Sequence, residues 1–98
     1  MKSLSEIREI LNKHKNELKE KYGVIEIGIF GSYVRNEQKK TSDIDILVKF
    51  EKPLGLEFVN LAYYLEEILG ERVEVVTPLA LKQKPRLWES VKEDLIYV

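Results

Sequence analysis

The sequence predicts an α+β fold, a two-layer arrangement in which helices pack on one face of a small β-sheet. Two patterns predict it: apolar residues recur at helical spacing in three segments, and β-branched residues cluster in three short segments. The chain has 98 residues, of which 44% are hydrophobic and 34% are charged. This composition is typical of one small globular domain, which we expect to span residues 1–98.

Local signals predict where the elements begin and end. Ser3 and Glu6 form a capping box before an apolar stripe that stops at Gly23, which indicates one long N-terminal helix. Thr77 and Pro78 are typical of an N-cap followed by a proline at the first helical position. The predicted elements are a helix over 4–21, a strand over 24–30, a helical turn over 33–38, a strand over 43–50, a helix over 56–69, a strand over 72–77 and a helix over 86–95.

Alternation along the predicted strands divides their side chains between two faces. One face is entirely aliphatic, and we expect helices to cover it. The other face carries the acidic residues, and we expect it to be left open. The aliphatic set is Ile25, Ile27, Ile29, Ile44, Ile46, Val48, Val73 and Val75, and the acidic face holds Glu26, Gly28, Asp43, Asp45 and Glu74.

Several residues on the helices have more than one interpretation. His14 lies on the first apolar stripe and is expected to be packed or hydrogen-bonded rather than catalytic. Trp88 is expected to pack in the core with the last helix. Leu56, Val59 and Tyr63 lie off the main stripe of their helix. Core packing is favoured for these three, and their cover can be the C-terminal helix, a second subunit or a partner protein.

Composition excludes several classes of function. The formal net charge is -1, and no basic stripe argues for direct nucleic-acid binding. The absence of cysteine excludes disulfides, zinc-thiolate sites and thiol nucleophiles. No apolar run has the length of a secretory signal or a bilayer span. We therefore expect a cytoplasmic protein.

A Gly-Ser turn and two alternating aspartates suggest a magnesium nucleotide site. Gly31 and Ser32 follow the first strand, and after ten residues Asp43 and Asp45 begin the second. Glycine lets the backbone approach a phosphate, and the Ser32 hydroxyl and following amides can donate to it. Carboxylates two residues apart on a strand lie roughly 6.6 Å apart at Cα, close enough to share a cation with substrate phosphates.

Three further residues extend this site. Glu74 is predicted to share the face of Asp45, so three carboxylates can hold two ions about 3.5–4 Å apart. Arg35 is expected either to contact a phosphate or to form an ion pair with Glu37. Gly28 is expected to keep the sheet surface clear for the ligand.

The run GIFGSYVRNEQKKTSDIDILVKF, with RVEVVTP behind it, resembles the defining motif of the DNA polymerase β-like nucleotidyltransferase superfamily, in its minimal nucleotidyltransferase (MNT) branch. The resemblance covers nearly the whole chain and implies the nucleotidyltransferase fold with a small mixed sheet. It implies that Gly31 and Ser32 hold the triphosphate and that Asp43 and Asp45 bind magnesium. Glu74 takes the place of the third acid, which is usually aspartate.

The resemblance also implies an activity and a partner. Members of this branch are antitoxins of type VII toxin–antitoxin systems, and several transfer AMP to a tyrosine of a HEPN-domain ribonuclease toxin. We therefore expect AMP transfer from ATP to a protein hydroxyl, with two Mg²⁺ ions. Asn36 stands where relatives often have glycine, and asparagine tolerates left-handed backbone geometry.

Two alternatives remain open. The longer Glu74 side chain moves its carboxylate outward by one carbon, so the chain can be an inactive antitoxin that neutralises its partner by binding alone. The acceptor can also be a small molecule, although such relatives usually build that pocket from an additional helical domain that these 98 residues lack. The sequence fixes neither the nucleotide base nor the oligomeric state.

Overall fold

The structure, a computed structural model, describes residues 1–98 and shows a four-stranded mixed sheet with five helices. The elements are α1 (Leu4–Lys13), α2 (Lys15–Tyr22), β1 (Val24–Phe30), β2 (Ile44–Phe50), α3 (Glu57–Leu69), β3 (Val73–Val76), α4 (Pro78–Lys82), α5 (Pro85–Asp94) and β4 (Ile96–Tyr97). The strand order is β3-β2-β1-β4, and only the β2–β3 pair is parallel. The predicted α+β fold is confirmed. None of the helices has the length and apolar character needed to cross a membrane.

The N-terminal helix is broken at His14, so the prediction of one helix over 4–21 was wrong. In a continuous helix the His14 amide donates to the carbonyl of Ile10. Here the ring Nδ1 lies 2.8 Å from the Ile10 oxygen, and the His14 amide donates instead to Leu11 at 3.2 Å. The imidazole thus contacts the Ile10 carbonyl in place of the His14 amide. Helix α1 ends there, and α2 begins at the next residue.

Helices α1, α2 and α3 cover the aliphatic face of the sheet and enclose the main core. One predicted member of that face is displaced. A β-bulge between Val24 and Glu26 shifts the alternation, so Ile25 is 46% exposed while Val24 is buried. The buried members of this core are Ile7, Leu11, Leu18, Tyr22, Val24, Ile27, Ile29, Tyr33, Ile44, Ile46, Val48, Leu61, Leu65 and Leu69.

The second face of the sheet is more covered than predicted. Phe30 and Leu47 on this face pack with Leu81 of α4 and Val91 of α5 in a second, smaller cluster. The N-cap predicted at Thr77 is present, since its hydroxyl accepts from the Ala80 amide and starts α4. Helices α4 and α5 therefore cover part of this face, and Asp45 and Glu74 lie together at one end of it.

The C-terminal segment packs directly over Gly28. A Cβ at this position would lie 2.7 Å from Cδ1 of Leu95 and 3.3 Å from the carbonyl oxygen of Ile96. The glycine thus makes room for the end of α5 and for β4, and its expected role toward a ligand was wrong. Val91 of α5 is buried, but Trp88 on the same helix, which was expected to pack in the core, is 36% exposed.

Helix α3 presents an apolar strip to solvent. Leu56, at its N-terminus, is 90% exposed, and Val59 and Tyr63 are 51% and 67% exposed. Leu61 and Leu65 are fully buried on the other side of the helix. The prediction that the strip packs in the core was therefore wrong, and α5 does not cover it.

Candidate active site

The strand register brings two of the predicted acids together at one end of the sheet. Asp45 of β2 pairs with Glu74 of β3 on one side and with Phe30 of β1 on the other. Asp43 lies just before β2 begins. The shared face predicted for Asp45 and Glu74 agrees with this register.

Gly31 is in direct contact with the Asp45 carboxylate. A Cβ built on Gly31 would lie 2.1 Å from Oδ2 of Asp45, so any side chain here would require the carboxylate or the turn to move. Gly31 also has φ +84°, in the left-handed region that favours glycine. The glycine is therefore required both by its backbone conformation and by the carboxylate against it.

Residues 32–36 form a hydrogen-bonded turn directly after β1, where a short helical turn over 33–38 was predicted. The Gly31 carbonyl accepts from the Val34 amide at 3.0 Å, and the Ser32 carbonyl accepts from Glu37 at 2.9 Å. Asn36 closes the turn with φ 59°, the left-handed conformation that its side chain tolerates. The amides of Ser32 and Tyr33 donate to no backbone carbonyl. These two donors are available for an anion beside Asp45.

Tyr33 anchors this turn in the main core. Its ring is buried, and its hydroxyl donates to Oε1 of Glu71 at 3.0 Å. Burial raises the pKa of the Tyr33 hydroxyl, and the hydrogen bond to Glu71 raises it further. The hydroxyl is therefore a fixed donor, and the turn is tied to the end of α3.

Arg35 is already paired within the protein. Its guanidinium donates to the Asp94 carboxylate at the end of α5, and its Nε lies 3.6 Å from Oε2 of Glu37. The hydrogen bond with Asp94 raises the pKa of Arg35. The structure thus shows the ion pair with Glu37 that was one of two expectations, and α5 contributes a second partner.

The surroundings of Asp45 disfavour the negative charge of its carboxylate. Burial, followed by a hydrogen bond with Glu74 and the charges of Glu74 and Asp43, together raise the pKa of its carboxyl to about 7. Arg35 lowers this pKa, but its contribution is the smallest of those named. A cation beside Asp45 would offset both the burial and the repulsion.

Asp43 faces a cation that the sequence did not single out. Its Oδ1 lies 3.3 Å from Nε of Arg72, but the geometry of this ion pair does not make a hydrogen bond. The same oxygen is shielded from solvent and has no other partner. Arg72 also donates to the carbonyl of Thr41 at 3.2 Å.

The oxygen donors fit Mg²⁺, although the three predicted acids do not form a complete cage. No group of three His, Cys, Asp or Glu side chains is arranged to hold a metal by itself. Asp45 meets Glu74, whereas Asp43 faces Arg72. Mg²⁺ needs only one or two carboxylates when phosphates and water supply the remaining ligands. Oδ1 of Asp43, which accepts no hydrogen bond, and the crowded carboxylate of Asp45 are suited to that role.

Sequence reasoning missed three residues that shape this site. Arg72, Glu71 and Asp94 lie far along the chain from the residues they contact. Their signal is present only in the strand order, because β3 must lie beside β2 and α5 beside β1 before these contacts can form.

Comparison with known proteins identifies the class of this site. Residues 11–98 match the family described as nucleotidyltransferase domain, and the chain belongs to that family. The protein adenylyltransferase MntA of Thermococcus cleftensis is 50% identical over 99 residues, which cover 100% of this chain and 98% of the relative. A Methanocaldococcus jannaschii protein, named provisionally as a protein adenylyltransferase, is 56% identical over the full length of both chains.

Solved structures agree with the family. A structure provisionally described as a minimal nucleotidyltransferase has a TM-score of 0.70 at 32% identity, covering 92% of this chain and 93% of that one. A toxin–antitoxin crystal structure with AMP-PNP has a TM-score of 0.67 at 28% identity, covering 88% of this chain and 69% of that one. The predicted MNT resemblance is confirmed.

Proposed function

We propose that this chain is a magnesium-dependent adenylyltransferase that moves AMP from ATP to a tyrosine hydroxyl of a HEPN-domain toxin and thereby acts as its antitoxin. The contact between Gly31 and Asp45 carries the proposal. It joins a turn with free amides to carboxylates that need a cation, which is the pairing a magnesium nucleotide requires.

Different residues of the site have different roles in AMP transfer. The Ser32 hydroxyl and the amides of Ser32 and Tyr33 bind phosphate oxygens, while Asp43 and Asp45 hold the cation. Bound Mg²⁺ neutralises charge on the transferred phosphoryl group and on the leaving pyrophosphate. The acceptor oxygen forms a bond to the α-phosphorus as the bond to pyrophosphate breaks. Glu74, exposed beside Asp45, accepts the proton of the acceptor hydroxyl.

The relatives support the nucleotide and the partner. A toxin–antitoxin structure that resembles this chain was solved with AMP-PNP, an analogue of ATP. The relative from Thermococcus is named as an adenylyltransferase that acts on protein. We therefore favour ATP over other nucleotides and a protein over a small-molecule acceptor.

Transfer can be tested with α-labelled ATP, Mg²⁺ and a HEPN-domain toxin that binds this chain. We expect label on one or more toxin tyrosines and loss of the toxin's ribonuclease activity. Replacing the labelled tyrosines by phenylalanine is the matched control and should abolish labelling. An unlabelled toxin, in a reaction where the two proteins demonstrably bind, would show that the enzymatic proposal is wrong.

A second candidate is a module that neutralises its partner by contact alone. The exposed strip of Leu56, Val59 and Tyr63 favours it, because such a strip can bind a partner without catalysis. An Asp43→Ala, Asp45→Ala double variant separates the candidates. Full neutralisation by this variant favours binding alone, and loss of neutralisation with binding retained favours transfer.

A further inference from the structure

Arg72 connects both ends of the short segment that carries Asp43. Its carbonyl accepts from the Ile44 amide at 2.9 Å, and its guanidinium donates to the Thr41 carbonyl at 3.2 Å. Between these contacts, Nε lies 3.3 Å from Oδ1 of Asp43. One residue at the start of β3 therefore fixes the backbone on both sides of Asp43 as well as the carboxylate itself.

No other cation in the structure pairs with Asp43. Arg35, in the turn after β1, is already paired with Asp94 and Glu37. Arg72 is thus the residue that balances Asp43 where this carboxylate approaches the charges of Asp45 and Glu74. Its guanidinium lies against the Asp43 carboxylate, the group that is proposed to hold the metal ion.

The geometry also allows Arg72 to leave. The Arg72 side chain is 69% exposed and that of Asp43 is 43% exposed. Ion pairs this exposed are weak. The Arg72 guanidinium also has no second carboxylate partner that would hold it in place. A divalent cation with substrate phosphates can therefore displace it at small cost.

We propose that Arg72 is a positioning residue that stands in for the cation, holding Asp43 and the segment 41–44 in place until the metal and nucleotide bind. This inference rests on the proposed function, because it concerns the same site. Arg72 and the metal compete for Oδ1 of Asp43, so removing the guanidinium should favour the metal while loosening the segment in its absence.

Cation binding gives a readout separate from activity. Mn²⁺ can be titrated into the protein without nucleotide and followed by electron paramagnetic resonance. We expect Arg72→Gln to bind Mn²⁺ about 3-fold more tightly than wild type, the size expected when an exposed ion pair is removed. Arg72→Lys, which keeps the charge but loses the fork, should lie between them. Arg86→Gln on α5 makes the same change in net charge away from the site and should have little effect.

Hydrogen exchange gives the second readout. Without a cation, the amides of residues 41–44 should exchange faster in Arg72→Gln than in wild type or Arg86→Gln, and Mn²⁺ should remove the difference. Equal Mn²⁺ affinity and equal exchange in the Arg72→Gln and Arg86→Gln proteins would overturn the inference. If wild type binds no Mn²⁺ even with ATP, the proposed function fails, and the exchange of residues 41–44 still decides whether Arg72 holds the segment.

Discussion

Asp45→Asn is expected to reduce AMP transfer by about 10³-fold, because it removes a ligand of a cation whose charge stabilisation is worth several kcal/mol. The neutral amide also loses the repulsion that makes a cation necessary beside Glu74. Labelled transfer to the partner measures this effect. Glu57→Gln, which removes an exposed acid on α3, is the control and should transfer at the wild-type rate.

The same substitution is expected to stabilise the cation-free protein above pH 7. The folded pKa of Asp45 is raised to about 7, above the ordinary value of 3.8, so the folded state binds this proton more tightly than the unfolded state. Stability from this group is therefore greatest below pH 4 and declines as the pH rises to about 7. Solvent access at this half-buried carboxyl reduces the expected gain in Asp45→Asn to about 1–2 kcal/mol.

Chemical unfolding in EDTA, from pH 4 to pH 8, measures this gain. The free energy of unfolding of Asp45→Asn minus that of wild type should rise across this range and then level off. A difference that stays constant with pH would mean that Asp45 titrates normally. Loss of transfer together with a gain of stability would indicate that the Asp45 carboxylate is needed for activity but lowers the free energy of unfolding.

Gly31→Ala is expected to destabilise the protein by about 2–3 kcal/mol and to abolish transfer. The new Cβ would overlap Oδ2 of Asp45, and an alanine at φ +84° adds about 1–2 kcal/mol of backbone strain. Either the turn or the carboxylate must move, and both are needed at the site. Urea unfolding should show a lower midpoint with an unchanged slope.

Two other glycines separate the contributions to this effect. Gly55→Ala has no atom within 4 Å of its new Cβ and no positive φ, so its stability should be close to wild type. Gly23→Ala also has open space but a φ of +70°, so it should show the backbone cost alone, about 1–2 kcal/mol. If Gly31→Ala unfolds like Gly23→Ala, the contact with Asp45 contributes nothing and the central geometry is wrong.

Much of the fold follows from short-range patterns in the sequence. Strand β1 has the predicted bounds, and α3 and β2 begin one residue later than predicted. Alternation within β2 and β3 was sufficient to place Asp45 and Glu74 on one face. These features depend on neighbours two to four residues apart, which the sequence displays directly.

Other features depend on contacts that no local pattern contains. The bulge that exposes Ile25 depends on the pairing of β1 with β2. Strand β4 has two residues and exists only because Gly28 leaves room for it. In the site, the role of Arg72 became visible only when β3 was placed beside β2.

The central claim is that the free amides after β1 and the carboxylates Asp43 and Asp45 form one magnesium nucleotide site. Isothermal calorimetry of ATP binding, with and without Mg²⁺, tests this claim most directly. We predict that wild type binds ATP with Mg²⁺ and much more weakly in EDTA, and that the Asp43→Ala, Asp45→Ala variant loses the magnesium dependence. ATP binding of equal strength in wild type with and without Mg²⁺, or no binding at all, would contradict the claim.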